Sequence, residues 1–383
     1  MSFYEQDHED YRETVREYVR RYVSPSYDRW EADRLIDREV WRPAGEAGLI
    51  GLDVPEAYEG PDLHDWRFRM VVAEELNMAG AASLTIAFAV QDDLVLPYLI
   101  DLGTDEQKAR WLPGMAAGEL IGAIGMTEPG AGSDLQAIRT TAVRDGDDWV
   151  LNGQKTFISN GINADLVIVV AKTDPAAGAR GISLLVVERG MPGFERGRKL
   201  DKLGLHAQDT AELFFTDVRV PATNVLGEIG HGFGYLMQRL PRERLSIAAG
   251  GYAGARAALQ WTQDYVFERK AFGQRIGDFQ NTRFELAEIE TEIDVTRAYL
   301  EQCVLKLNAG TLTTVEASKA KWWATELEGR ATTRLLQLFG GYGFMDEYPI
   351  SRAFRDSRVQ TIYGGTTEIM KEIIGRDIAA RYR

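Results

Sequence analysis

The hydrophobic period of this chain changes twice, and that restricts its fold more than any single motif. From the start to about residue 118, apolar residues recur at helical spacing: Tyr11, Val15, Tyr18 and Val19, then Val71, Val72 and Leu76, then Leu94 and Leu99. Near residue 120 the pattern gives way to WVLNGQKTFISN, DLVIVVAKTD, GISLLVVERG and TAELFFTDVRVP, short β-rich runs separated by Gly, Asp, Asn and Pro clusters. Beyond Gly230 the helical period returns in LSIAAGGYAGARAALQWTQDYVFERK, NTRFELAEIETEIDVTRAYLEQCVLKL and VEASKAKWWATELEGRATTRLLQLFG, each long enough for a bundle. The pattern predicts a mainly α chain with a central β-domain: helices over 1–118, strands over 119–228 and a helical bundle over 229–383. The Ala and Gly density between Ala248 and Ala258 permits close helix approach, which accounts for Gly250, Gly251 and Gly254 as packing residues.

Charge and cysteine content narrow the function. With 44 basic against 58 acidic side chains the net charge is −14, which disfavours nucleic acid and anionic membranes as partners. Cys303 is the single cysteine, so an internal disulfide and a Cys-based zinc site are both excluded, and a reducing cytoplasm fits. The first thirty residues are charged throughout, unlike a signal peptide. No apolar run is expected to approach the roughly 18 to 20 residues that cross a bilayer.

Several segments carry chemistry. In IGMTEPGAGSDLQAI, residues 124–138, a strand leads into a loop shaped by Pro129, Gly130 and Gly132. Such a loop can aim several N–H groups at one ligand, and read alone it is equally a plain turn. It matches neither G-x-G-x-x-G nor a Walker loop. In NGQKTFISNG, residues 152–161, a spacing of two along a strand places Phe157 and Ser159 on one face, although a strand Phe is ordinarily core. ERKAFGQRIGDFQ, residues 268–280, ends a long helix with basic residues that suit its dipole. RGRKLDKLGL gathers Arg196, Arg198, Lys199 and Lys202, either as a solvated loop or as a phosphate contact. His8, His64, His206 and His231 are scattered, so no metal is implied, and no G-x-S-x-G elbow points to a serine hydrolase.

TEPGAGSD, NGQKTFISNG, ERKAFGQRIGDFQ and the stretch from Leu335 to Arg376 containing LFGGYGF and IYGGTTEIM together resemble the signatures of the acyl-CoA dehydrogenase family. The likeness runs over essentially the whole chain, and IYGGT with a helical Glu-Arg pair is similar to the long-chain branch. The resemblance implies a helical N-domain, a β-barrel-like middle domain, a C-terminal four-helix bundle, and FAD at their junction. Met126, Thr127, Gly132 and Ser133 would hold FAD, with Phe157 against the isoalloxazine and Ser159 near its N5. Arg269 and Gln280 would reach the FAD of a neighbouring subunit, with Phe272 between them in sequence. Gln337, Leu338, Gly340 and Gly341 would serve the dinucleotide, and Thr366 and Glu368 would flank the flavin. Ser133 would also lie near the pantetheine, and Arg244, Gly364 and Gly365 at the substrate. A homotetramer passing electrons to an electron-transferring flavoprotein is implied as well.

One position departs from most straight-chain members, which carry glutamate where this chain has Gly364. Either activity is lost, or Glu243 in LPRERLSIA supplies the carboxylate, as its counterpart does in the long-chain and isovaleryl branches. Read alone, a charged helix residue such as Glu243 faces water; the paired loss at 364 favours the base. The chemistry then implied is α,β-dehydrogenation of a fatty acyl-CoA, medium- to long-chain, to the trans-2-enoyl product. Removing so weakly acidic a proton requires a base raised in pKa by excluding water, and an oxyanion donor that the backbone N–H of Gly364 retains. Rival readings on the same fold are an acyl-CoA oxidase, a carrier-protein thioester dehydrogenase and a non-catalytic flavin- or CoA-binding protein.

Overall fold

The structure is a computed structural model and describes residues 3–382. The N-terminal part is helical: α1 (Gln6–Tyr18), α2 (Tyr27–Asp33), α3 (Trp41–Glu46), α4 (Arg67–Met78), α5 (Ala82–Ala89), α6 (Leu96–Leu102) and α7 (Asp105–Ala116). The strands follow: β1 (Gly122–Gly125), β2 (Thr141–Asp145), β3 (Asp148–Ser159), β4 (Leu166–Lys172), β5 (Ile182–Glu188), β6 (Phe194–Lys199), β7 (Thr210–Pro221) and β8 (Val225–Leu226). They form one sheet in the order β6-β7-β3-β2-β4-β5-β8, with β1 parallel beside β4. The chain then enters α8 (Gly232–Glu268), a short hairpin of β9 (Lys270–Ala271) and β10 (Gln274–Arg275), and the helices α9 (Gln280–Asn308), α10 (Thr314–Leu338), α11 (Pro349–Ser357) and α12 (Thr367–Ala380).

Three hydrophobic cores join these layers. Strand β4 is buried on both faces, which explains its unbroken apolar run: Leu166, Ile168 and Val170 pack with Leu96, Leu99 and Trp111, while Val167, Val169 and Ala171 pack with Leu151, Leu213 and Val218. The remaining core is shared by the N-terminal helices and the bundle, where Val15, Met70 and Leu76 meet Leu245, Tyr252 and Leu327. Close approach of α8 and α10 depends on Gly251, whose missing Cβ would lie 3.1 Å from the Ala324 carbonyl oxygen, and on Gly254, where a Cβ would collide with Glu328 Oε1. Gly250 is different, because a Cβ there would meet nothing nearer than Gln360 Nε2 at 3.8 Å, so close packing does not require glycine.

The expectation about apolar length needs correction. Helix α5, a widened π turn at Val90–Val95 and α6 run continuously as Ala82–Leu102, which is long and apolar enough to cross a membrane. This segment is mostly buried inside the protein. Its polar residues Asp92 and Asp93 pair there with Arg69 and Arg242 from α4 and α8, as suits a core helix. Pro97 sits in the first turn of α6 and has no N–H to give the carbonyl four residues back, so a widened turn at this place is physically economical.

Candidate active site

Glu243 lies in the first half of α8 and does not face water: it is 4% exposed. The Tyr98 hydroxyl, from α6, donates to its Oε1 at 3.1 Å. Burial pushes the Glu243 carboxyl up to about 7, opposed by the Tyr98 hydrogen bond and by Arg244 and Arg239, with Asp93 adding to the rise. The neighbouring Arg244 is also buried, its Nη1 directed at Ser318 Oγ at 3.3 Å, and burial holds its guanidinium below the usual range. Two opposite pH effects follow. A base that titrates near 7 is expected to give kcat/KM an acid limb near pH 7, with activity rising above it, as a pH–rate profile checks. Because the folded pKa exceeds the ordinary 4.5, the group's contribution to stability is present below pH 4.5 and lost as pH rises through about 7.

The glycine turn stands against the same face of α8. Gly364 has φ +63° and a Cβ there would collide with Ile247 Cδ1, one helical turn beyond Glu243. Gly365 has φ +98°, and its carbonyl accepts a 2.7 Å hydrogen bond from Lys321 Nζ on α10. Lys321 is buried, which lowers its ammonium to about 8. Lys321 and Ser318 thus hold the turn and Arg244 from one helix, yet neither they nor Tyr98 stand out in the sequence. Gly364→Ala is expected to lose about 1 to 3 kcal/mol of stability through the left-handed backbone. Adding Ile247→Ala should relieve the collision and leave the strain, as urea unfolding of both variants would show.

The loop after β1 is pinned to β3 by a buried ion pair. Lys155 Nζ donates to Glu128 Oε1 at 2.8 Å and to the Met126 carbonyl at 3.2 Å, and Thr156 N–H donates to the Thr127 carbonyl at 2.9 Å. Glu128 also accepts from the backbone N–H groups of Arg139 and Thr140. Beyond this clamp Gly132 and Ser133 are exposed, and a Cβ at Gly130 or Gly132 would meet no atom within 4 Å. Packing does not demand glycine at either place; a ligand lying on the backbone would.

Strand β3 breaks its alternation beside the clamp. A bulge falls between Lys155 and Ile158, and Phe157 takes a left-handed φ of +60° with its ring 67% exposed. Its direction therefore comes from the bulge and not from a regular spacing of two with the half-buried Ser159. Phe272 repeats the anomaly at φ +52° and 96% exposure. A phenylalanine held at positive φ with an uncovered ring is costly on two counts, and such outliers gather where a ligand is received. The residues present accordingly fit a large planar cofactor.

Arg269 forms part of a second cluster, and Phe272 and Gln280 follow it in the β9–β10 turn and at the start of α9. The Arg269 guanidinium lies 5.5 Å from the Tyr342 ring centre, and Tyr265 stacks on Phe339 at 4.2 Å. These contacts bring the end of α8 to Gln337, Leu338, Gly340 and Gly341, of which all but Leu338 are exposed. Arg269 follows Glu243 by 26 residues along α8, a rise of about 39 Å. The two clusters therefore stand at opposite ends of one helix. Thr366 caps α12 by accepting from Ile369 N–H at 3.4 Å, and Glu368 is exposed in its first turn.

The basic loop has other employment. Arg196 donates to the Gly161 and Ala164 carbonyls, Lys199 to the Asp33 carbonyl and Lys202 to the Gln208 carbonyl. These contacts engage three of the four cations with backbone carbonyls, while Lys199 and Arg198 remain exposed.

Helices enclosing a sheet, with a carboxylate kept dry beside a bare glycine turn and an uncovered ring next to the loop after β1, suit an enzyme that removes a carbon-bound proton against a planar cofactor. The chain matches the acyl-CoA dehydrogenase N-terminal domain over residues 5–119, the middle domain over 123–218 and the C-terminal domain over 230–379. It belongs to the acyl-CoA dehydrogenase family, whose members bind FAD. It is 48% identical over 376 residues to the long-chain specific acyl-CoA dehydrogenase, mitochondrial, of Sus scrofa, covering 97% of this chain and 86% of that protein. An acyl-CoA dehydrogenase structure from Geobacillus kaustophilus superposes with a TM-score of 0.95 at 48% identity, covering 98% of each chain. Butyryl-CoA dehydrogenase from Megasphaera elsdenii gives 0.94 at 34% identity, over 99% of this chain and 100% of that one.

Proposed function

We propose that this enzyme dehydrogenates medium- to long-chain fatty acyl-CoA thioesters between the α- and β-carbons, giving the trans-2-enoyl-CoA, with Glu243 as the base. The observation that carries this reading is a carboxylate 4% exposed, with a pKa near neutrality, beside a turn where glycine replaces a side chain. Ionised, Glu243 takes the α-proton; burial makes its proton affinity higher than that of an ordinary carboxylate, which narrows the gap to the carbon acid. The Gly364–Gly365 turn, anchored by Lys321, leaves a backbone N–H to polarise the thioester oxygen, and Arg244 shapes the wall behind it. FAD would be held by Met126, Thr127, Gly132, Ser133, Phe157, Ser159, Thr366 and Glu368, and when bound it supplies the hydride acceptor for the β-carbon.

The remaining residues, Arg269, Phe272, Gln280, Gln337, Leu338, Gly340 and Gly341, serve the cofactor of another subunit. Arg269 lies about 39 Å along α8 from Glu243, more than a small domain's diameter, and its contact with the Tyr342 ring joins it to the Gly340–Gly341 segment, which supports this. The exposed apolar residues Phe284 and Val295, about three whole turns apart on α9, offer surface that an assembly such as a homotetramer would cover. Electrons leave to an electron-transferring flavoprotein. The test is anaerobic flavin bleaching with octanoyl-, palmitoyl- and isovaleryl-CoA, followed by turnover with that acceptor. Rapid peroxide in air without an acceptor would make the enzyme an oxidase, and bleaching only by a carrier-bound thioester would move the substrate class.

A further inference from the structure

Among the described residues the base has a single hydrogen-bond donor, on one oxygen, and the fold goes to some length to place it. Tyr98 is fully buried and its hydroxyl lies 3.1 Å from Glu243 Oε1. It follows the π turn at Val90–Val95, and one residue added to a helical turn rotates everything after it by about 100°. That turn is tied on both sides. Asp92 accepts from Gly51 N–H at 2.8 Å and pairs with Arg69. Asp93 accepts from Trp66 Nε1 at 3.0 Å and from Ser246 Oγ at 2.6 Å, and Arg242 stands 3.4 Å away. Arg242 and Ser246, on α8 before and after Glu243, both meet Asp93, and Arg239 meets Asp101 beyond Tyr98, so the two helices are fastened on either side of the Tyr98–Glu243 contact.

We propose that Tyr98 is a positioning residue for the base: its phenol donates to Oε1 of Glu243, fixes the carboxylate rotamer and leaves Oε2 as the one oxygen that accepts the substrate's α-proton. This rests on the reading of Glu243 as the base. The direction of donation is set by chemistry, since burial and then the facing carboxylate hold the Tyr98 phenol far above its ordinary pKa, and it stays protonated. The charged groups around the carboxylate are Arg244 and Arg239 on its own helix and Asp93 on the π turn. Arg239 is paired with Asp101, and Arg244 is directed at Ser318, so neither replaces the phenol on Oε1. A donor to the ionised form lowers the pKa of an acid. Without it the acid limb of the activity profile moves to higher pH.

Tyr98→Phe removes one oxygen and keeps the ring. The expected result is an acid limb of kcat/KM raised by about one pH unit, with kcat lowered severalfold above the limb, where the base is ionised but no longer held, a further tenfold or so below it, and KM little changed. An independent readout is the carboxylic-acid C=O infrared band of Glu243 in the resting holoenzyme, identified by its loss in Glu243→Gln and titrated in both proteins. Its midpoint should rise by the same amount. Site-specific 3-fluorotyrosine at position 98, a stronger donor of nearly the same shape, should move limb and midpoint the other way, and serves if Tyr98→Phe fails to fold. A uniform loss at every pH with limb and midpoint unmoved overturns the proposal and leaves only packing. If Glu243→Gln is inactive while the Tyr98→Phe limb is unmoved, the positioning role alone falls; if Glu243→Gln turns over normally, the base and its positioning residue fall together.

Discussion

Glu243→Gln is expected to slow flavin reduction by acyl-CoA roughly a thousandfold, within the 10² to 10⁴ that a positioned general base contributes, while the protein stays folded and yellow. Glutamine keeps the shape, and its amide oxygen can still accept from Tyr98, so the loss isolates proton transfer from packing. Among the residues read as facing flavin or substrate, Glu368 is the other carboxylate. Glu368 is exposed in the first turn of α12, where backbone and Thr366 hydrogen bonds hold its carboxyl below the usual range. A residue kept ionised at the surface gains nothing from the desolvation that makes Glu243 basic. Stopped-flow bleaching under anaerobic conditions measures the effect, and substrate binding, read from the spectral shift on mixing, should persist. A variant that bleaches within tenfold of the wild type would remove Glu243 from the chemistry.

The same contrast shows what the sequence could and could not carry. Strands β3, β4, β5 and β7 announce themselves because long apolar or alternating runs bounded by breakers have few other uses, and β4 is buried on both faces. Strands β2 (TAVRD) and β6 (FERGRK) are charged and owe their existence to pairing with β3 and β7, a non-local cause that a local pattern does not contain. Helix α8 begins at Gly232, well before the apolar period is plain, because Gly234 and Pro241 lie inside its first turns. At the site, Glu243 and Gly364 are legible as a pair through family resemblance, since each makes sense only with the other. Tyr98, Ser318 and Lys321 are not. Each sits on a helix whose sequence calls for an ordinary core position, and only the crossing of α6, α8 and α10 turns them toward one carboxylate and one glycine turn. Phe157 was visible as a residue, but its orientation belongs to a bulge that the strand spacing hides.

Lys155→Met is expected to destabilise the protein by about 3 to 5 kcal/mol, the range found when one partner of a buried ion pair is removed. The Lys155 side chain is fully buried and that of Glu128 nearly so. Deleting the ammonium leaves a carboxylate with only the Arg139 and Thr140 N–H groups to compensate it in a dry setting. Lys155→Met combined with Glu128→Gln should recover part of the loss, because no lone charge remains, although the single amide oxygen can accept from only one of two N–H groups that now bind different carboxylate oxygens. Urea unfolding of the apoprotein checks both. The functional consequence follows from where the pair sits: it fastens the loop carrying Met126, Thr127, Gly132 and Ser133 to the strand carrying Phe157 and Ser159. The single variant should therefore lose FAD at dilutions the wild type tolerates, and the double variant should hold it more tightly than the single. If Lys155→Met costs less than about 1 kcal/mol, the value of a surface pair, the clamp contributes little and the loop must owe its shape to its own turns.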